Sequence, residues 1–118
     1  MAKVLVADDA AFMRLRLRTI LQGDGHEVVE AVNGSEAVDK FAAEGPQLVL
    51  LDITMPEMDG MAALAAIRQM DPAAKVVMCT ALGQQNIILQ AVRDGAADFI
   101  VKPFEPDRVK AAVRRLVS

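Results

Sequence analysis

Three aspartates, a threonine and a lysine occupy equivalent places along the chain. Asp8 and Asp9 follow the apolar run Val4-Leu5-Val6-Ala7, and Asp52 follows Leu48-Val49-Leu50-Leu51. Thr80 follows Val76-Val77-Met78-Cys79, and Lys102 follows Phe99-Ile100-Val101. If these residues meet, the carboxylates cannot stand alone. Two charges about 4 Å apart repel by about 4 kcal/mol at an effective dielectric of about 20. A shared proton, a lysine or a metal must offset that, and Lys102 supplies one positive charge. All-oxygen donors with no neighbouring His or Cys select a hard divalent ion, Mg²⁺ with Mn²⁺ as a substitute. A carboxylate is also a nucleophile toward phosphorus, and a site that makes an acyl phosphate needs a metal, a cation and a hydroxyl around the phosphoryl oxygens. Asp8 and Asp9, Lys102 and Thr80 fit those parts. Taken singly, each has a plainer reading: Asp9 or Thr80 as a helix cap, Lys102 as a solvated loop residue. Their joint placement favours the chemistry.

That placement depends on what surrounds it. Short apolar runs of strand length alternate with segments of helical period. Strands are expected at Lys3 to Ala7, Glu27 to Ala31, Leu48 to Leu51, Val76 to Thr80 and Phe99 to Val101. Between and after them, apolar residues recur at helical spacing. They are Met13, Leu17, Ile20 and Leu21; Ala37, Val38 and Phe41; Met61, Leu64 and Ile67; Ile87, Ile88, Ala91 and Val92; and Val109, Val113 and Leu116. The first helix is expected over Ala10 to Gln22 with Gly23 as its stop, and Asn33 with Glu36 reads as a capping box. Gly45-Pro46 and Gly95 close later helices, and Pro106 stands at a helix entry. The all-apolar third strand suits a strand covered on both faces.

Five βα units with short connections predict an α/β fold, a (βα)5 flavodoxin-like three-layer sandwich. Its five-stranded parallel sheet has the expected order 2-1-3-4-5. In such a sheet every strand C-terminus opens on one edge, ligands bind at the topological switch point, and strands 1 and 3 lie side by side. Asp8, Asp9 and Asp52 then converge.

Bulk properties narrow the function classes. At 118 residues, 53% of them hydrophobic, the chain fits one compact domain. Its net charge of −3 argues against a dedicated nucleic-acid binder. Cys79 is the only cysteine, so no internal disulfide forms, and a position inside an apolar strand reads as core. There is no signal-peptide pattern and no apolar run of membrane-spanning length, so a cytoplasmic protein with no membrane partner is expected. His26 follows a turn and reads as surface loop. Arg14, Arg16 and Arg18 read as a solvated helix face, as do Arg108, Lys110, Arg114 and Arg115. Met13, Met61, Met70 and Met78 read as packing residues.

Three stretches together resemble the receiver domains of two-component response regulators. They are Val4-Leu5-Val6-Ala7-Asp8-Asp9, Asp52-Ile53-Thr54-Met55-Pro56-Glu57-Met58-Asp59-Gly60, and Phe99-Ile100-Val101-Lys102-Pro103-Phe104. The resemblance covers essentially residues 1–118 as one receiver domain. Asp8-Asp9-Ala10-Ala11-Phe12-Met13-Arg14 and Ala81-Leu82-Gly83-Gln84-Gln85 are similar to chemotaxis regulators that act on the flagellar motor, in the versions found in Gram-positive and some thermophilic bacteria. The resemblance implies a phosphoprotein switch rather than an enzyme acting on a separate substrate, one that catalyses its own phosphotransfer and dephosphorylation. Asp52 would be the phosphoacceptor. Asp9 and Asp52 would hold Mg²⁺ directly, Asp8 through water, and Thr54 through its main-chain carbonyl. Lys102, with a cis bond to Pro103, would contact the phosphoryl group. Thr80 and Phe99 would form the switch. Phe99 stands where many motor-type regulators carry Tyr. Leu82, with Thr54, would tune hydrolysis; being apolar it cannot orient a water, which implies that autodephosphorylation is not especially fast. The implied partners are a chemotaxis histidine kinase, a flagellar motor switch protein and a phosphatase, with the regulator a monomer.

Other readings stay open at this level. A Mg²⁺-dependent aspartyl-phosphate phosphohydrolase would use similar chemistry, but it normally carries Asp-x-Asp, and Thr54 stands at the second position. A flavodoxin-like binding module would want a Gly-rich phosphate loop where Asp8-Asp9-Ala10-Ala11 is found. A receiver cut from a larger regulator, with its output domain elsewhere, fits the same residues.

Overall fold

The computed structural model describes residues 2–81 and 84–117. Five strands alternate with five helices: β1 (Lys3–Ala7), α1 (Ala11–Gly23), β2 (Glu27–Ala31), α2 (Gly34–Glu44), β3 (Leu48–Asp52), α3 (Gly60–Met70), β4 (Val76–Thr80), α4 (Gln85–Arg93), β5 (Asp98–Val101) and α5 (Pro106–Val117). The strands form one sheet in the order β2-β1-β3-β4-β5, parallel throughout, as the alternation predicts.

Strand alternation divides the core in two. Leu5, Ala7, Val49, Leu51, Val76 and Met78 pack with Ala37, Leu64, Ile67 and Ala91 from α2, α3 and α4. Val4, Val6, Leu48, Leu50, Val77, Cys79 and Ile100 pack with Leu17, Leu21, Val109 and Val113 from α1 and α5. Both faces are therefore covered, and β3 and β4 are buried at every position. Burial pushes the Cys79 thiol up to about 12, which fits a core residue and not a reactive one.

Local chemistry sets the helix ends. The Asn33 side chain accepts from the Glu36 N–H at 2.7 Å, while Glu36 accepts from the Val32 N–H at 3.3 Å, so the box closes one residue earlier than its usual form. Gly45 ends α2 at φ 57°. The α1 stop differs from expectation: Gly23 is the last helical residue, and the left-handed turn falls on Gly25 at φ 86°. The Asp24 and Gly25 N–H groups meanwhile bond back to the Leu21 and Gln22 carbonyls.

Three side-chain expectations are corrected. His26 is buried, not a surface-loop residue; its Nδ1 accepts from the Ala2 N–H at 3.1 Å, tying the start of β1 to the α1–β2 turn. Met70 is 46% exposed on the last turn of α3 and does not pack in the core. The arginines of α1 are not a free face. Arg16 donates to the Phe104 carbonyl at 3.1 Å, and Arg14 and Arg18 both reach Glu30 on β2. On α5, Arg114 makes a two-pronged contact with Asp24, and Arg108 and Arg115 converge on Asp98.

The loop after β3 is held by close backbone contact. The Gly60 N–H donates to the Ile53 carbonyl at 2.7 Å, and a Cβ at Gly60 would lie 2.0 Å from the Asp52 carbonyl oxygen. No side chain fits there without shifting the strand end that carries Asp52. Gly60→Ala is expected to lower the unfolding free energy by about 2–3 kcal/mol, the upper part of the range for forced overpacking. Urea titration checks this, and a loss below about 0.5 kcal/mol would mean that the loop relaxes freely.

Candidate functional site

At the C-terminal edge of the sheet, β1 and β3 pair directly, with Ala7 opposite Leu51. The residues that follow them meet. One carboxylate oxygen from each of Asp8, Asp9 and Asp52 lies within 4.8 Å of the others. Asp8 and Asp52 are buried and Asp9 is exposed. Lys102 reaches in from the end of β5, its Nζ 2.9 Å from Asp8 Oδ2 and 3.1 Å from Asp52 Oδ1. The Lys102–Pro103 bond is cis, as expected.

Each oxygen of Asp8 already accepts a hydrogen bond. Its Oδ1 accepts from the Ala10 N–H at 2.9 Å, its Oδ2 from Lys102, and its carbonyl from Arg14 Nη1 at 2.8 Å. Asp9 makes no hydrogen bond or ion pair among the described residues, and the helix cap is Ala10, without a side-chain bond. The plain reading of Asp9 as an N-cap is therefore removed, and its carboxylate remains available to a ligand.

The electrostatics follow from this arrangement. Burial and the Asp8 charge raise the Asp52 carboxyl above its ordinary range, with Lys102 opposing them. For Lys102 burial pulls downward, but the Asp8 bond and the Asp52 and Asp8 charges outweigh it, and the ammonium sits above its usual value. One ammonium thus faces three carboxylates. A hard divalent cation would supply the missing positive charge, and the all-oxygen donor set suits it.

Thr80 ends β4, fully buried, and its Oγ1 has no hydrogen-bond partner among the described residues. A buried hydroxyl left unpaired costs about 1–3 kcal/mol, so it marks a place where a partner is provided for. The residue is pinned by its carbonyl, which accepts from the Lys102 N–H at 2.7 Å. Phe99 lies on the neighbouring strand. The β4–β5 register pairs Met78 with Phe99 and Thr80 with Val101, which puts all four on one face of the sheet. The half-buried Phe99 ring lines a groove of about 470 Å³ with Gln85, Ile88, Leu89 and Val101. Thr54 is exposed in the loop two residues past Asp52. Leu82 lies outside the described residues.

The edge therefore gathers a buried carboxylate, an acid pair that could hold a cation, an ammonium and a hydroxyl unpaired among the described residues, the parts that phosphoryl transfer to a carboxylate requires. The sequence matches the family described as response regulator receiver domain over residues 4–114. The chain belongs to that family. It is 50% identical over 117 residues to the chemotaxis protein CheY of Bacillus subtilis, covering 98% of each chain. Among solved structures it resembles Vibrio cholerae chemotaxis protein CheY4, with TM-score 0.92 and 30% identity over 98% of both chains. It also matches NtrX from Brucella abortus, with TM-score 0.94 and 36% identity over 98% of this chain and 26% of that one; it thus spans about a quarter of that longer receiver protein.

Two features of this receiver's site lay outside the sequence reading. Glu57 adopts a left-handed conformation at φ 70° in the loop beside the acid cluster. Arg14, with Glu30 behind it, braces the Asp8 backbone. Neither residue type announces such a role, although an arginine five residues after a strand-end aspartate pair is a weak signal.

Asp52→Asn is expected to raise the melting temperature in EDTA by a few degrees near neutral pH. The Asp52 carboxyl is held above its usual range, so its charged form is the less stable one in the fold. That penalty is fully present above the raised value and disappears as pH falls below the ordinary carboxylate range near about 4, where the two proteins should converge. Thermal unfolding at both pH values checks this; an unchanged or lower melting temperature at neutral pH would show that Lys102 already balances the cluster.

Proposed function

We propose that this receiver is a chemotaxis switch turned on by phosphorylation of Asp52, acting in the cytoplasm between a histidine kinase and the flagellar motor switch. Mg²⁺ would be held by Asp9 and Asp52 directly, by Asp8 through water and by the Thr54 carbonyl. When bound, the ion neutralises charge on the transferring phosphoryl group. The Asp52 carboxylate forms the new O–P bond as the bond from phosphorus to the donor's imidazole nitrogen breaks, and the imidazole departs. Lys102 pairs with one phosphoryl oxygen. Thr80 Oγ1 donates to another, which gives the buried hydroxyl its missing partner. The same groups serve autodephosphorylation, with or without a phosphatase.

The observation that carries this reading is the unpaired Thr80 hydroxyl beside a carboxylate cluster short of positive charge. It also supports the switch. A move of Thr80 toward the phosphoryl group frees space on the face it shares with Phe99, and the ring turns inward. The groove next to Phe99 opens on α4, whose Leu89 and Val92 are 60% and 54% exposed. An output partner docked there would read the position of the ring. The relatives named for chemotaxis support the motor as that partner.

Intact mass after incubation with acetyl phosphate tests the chemistry. One phosphoryl adduct is expected with Mg²⁺, and none with EDTA or in Asp52→Ala. An adduct that persists in Asp52→Ala would place the acceptor elsewhere. Thr80→Ala should still take the adduct while losing the phosphorylation-dependent change in the Phe99 ring resonances.

A further inference from the structure

We infer that Arg14 is a positioning residue for the cation site: clamped by Glu30, it fixes the peptide between Asp8 and Asp9 and so presents the Asp9 carboxylate to the ion. The inference rests on the reading of Asp8, Asp9 and Asp52 as the cation-binding carboxylates. Arg14 stands one turn into α1, with its side chain only 15% exposed. Its guanidinium bridges two elements. Nη1 donates to the Asp8 carbonyl at 2.8 Å and Nε donates to Glu30 Oε1 on β2 at 3.0 Å. Two N–H groups of one planar fork therefore hold the β1–α1 turn against the neighbouring strand.

Glu30 is itself held in place. Its other carboxylate oxygen is taken by Arg18 from the next turn of α1, and its carbonyl accepts from Lys40 Nζ at 2.5 Å. The Asp8 N–H donates to the Ala31 carbonyl at 3.1 Å, so β2 grips the same turn from its backbone side. The Asp8 carbonyl belongs to the peptide whose nitrogen is that of Asp9. A bond to that oxygen fixes the plane from which the Asp9 side chain departs. Asp9 has no other tether among the described residues. The residue that would bind the ion directly is thus aimed through its backbone, by an arginine that does not touch the ion.

A guanidinium bonded to the main chain of the cation site has a second effect, and its sign is opposite. As a bare positive charge it repels a divalent cation, so its removal would tighten binding. As a positioning group its removal loosens Asp9 and weakens binding. Calorimetric Mg²⁺ titration of the full chain separates the two. Arg14→Met, which keeps the stem and removes charge and donors, is expected to raise the Mg²⁺ dissociation constant roughly tenfold, the lower end of the loss seen when outer hydrogen bonds at metal sites are removed. Glu30→Gln should shift it in the same direction by less. Arg18→Met removes the other arginine from Glu30 without touching Asp8, and should leave the constant within about twofold while costing comparable thermal stability. Acetyl phosphate labelling of Arg14→Met should need more Mg²⁺ but reach the wild-type rate at saturation. Unchanged or tighter Mg²⁺ binding in Arg14→Met, or an equal loss in Arg18→Met, overturns the inference. Failure of the wild-type chain to bind Mg²⁺ instead overturns the reading of the site on which it rests.

Discussion

The repulsion among Asp8, Asp9 and Asp52 is the constraint around which this edge of the molecule is organised. Two of the three are buried, and one ammonium, that of Lys102, lies between the buried pair. Such an arrangement persists only because elements on both sides force it. The parallel pairing of β1 with β3 sets the first pair of acids beside the third, and the turn after β5 delivers the lysine. The two apolar layers supply the stability that the charged edge gives up. Strands buried at every position lead directly into residues that would be poor choices anywhere else in a core.

The same tension makes the site responsive. A cluster short of one or two positive charges binds a divalent cation because the cation relieves a repulsion already present, and a phosphoryl group brings new oxygens to a lysine and a hydroxyl already in place. In the proposed switch, Thr80 would link this chemistry to the surface. Its hydroxyl is unpaired among the described residues, its backbone is fixed, and it shares a sheet face with Phe99. A local change in hydrogen bonding therefore has one direction in which to be felt, along that face toward α4. In that proposal the interface between sheet and helix would be the two-state element, and the phosphoryl group would supply the differential interaction that such a shift demands.

The large features were legible because they rest on periodicity. Strand-length apolar runs and helical stripes define the elements, and the rule that strand C-termini share an edge brings Asp8, Asp52, Thr80 and Lys102 together without coordinates. What escaped was set by side-chain reach across elements. Arg14, Arg16 and Arg18 lie on the polar face of an amphipathic helix, and polarity alone cannot tell water from Glu30 or from the Phe104 carbonyl. His26 follows a turn, which suggests exposure, yet an imidazole nitrogen paired with the Ala2 N–H lets the ring be buried. Met70 has the right spacing for burial, but as the last residue of α3 it stands exposed. The left-handed Glu57 is invisible for a different reason: it is the centre of a tight turn in which the Met58 N–H donates to the Pro56 carbonyl at 2.8 Å, a backbone that Glu does not prefer.

The two adjacent aspartates illustrate how one short sequence divides two duties. Every acceptor atom of Asp8 is engaged, by Arg14, the Ala10 N–H and Lys102, and the residue is buried. It is part of the scaffold, a fixed negative charge that orients the lysine and raises the cost of ionising Asp52. Asp9 is exposed and unengaged among the described residues, so its carboxylate keeps its solvation until a ligand arrives. A fully braced pair would be rigid but would have no free oxygen to offer; a fully free pair would lose the geometry and settle its repulsion by moving apart. Bracing the first residue through both backbone and side chain, and leaving the second free, keeps the charges close and one ligand atom available.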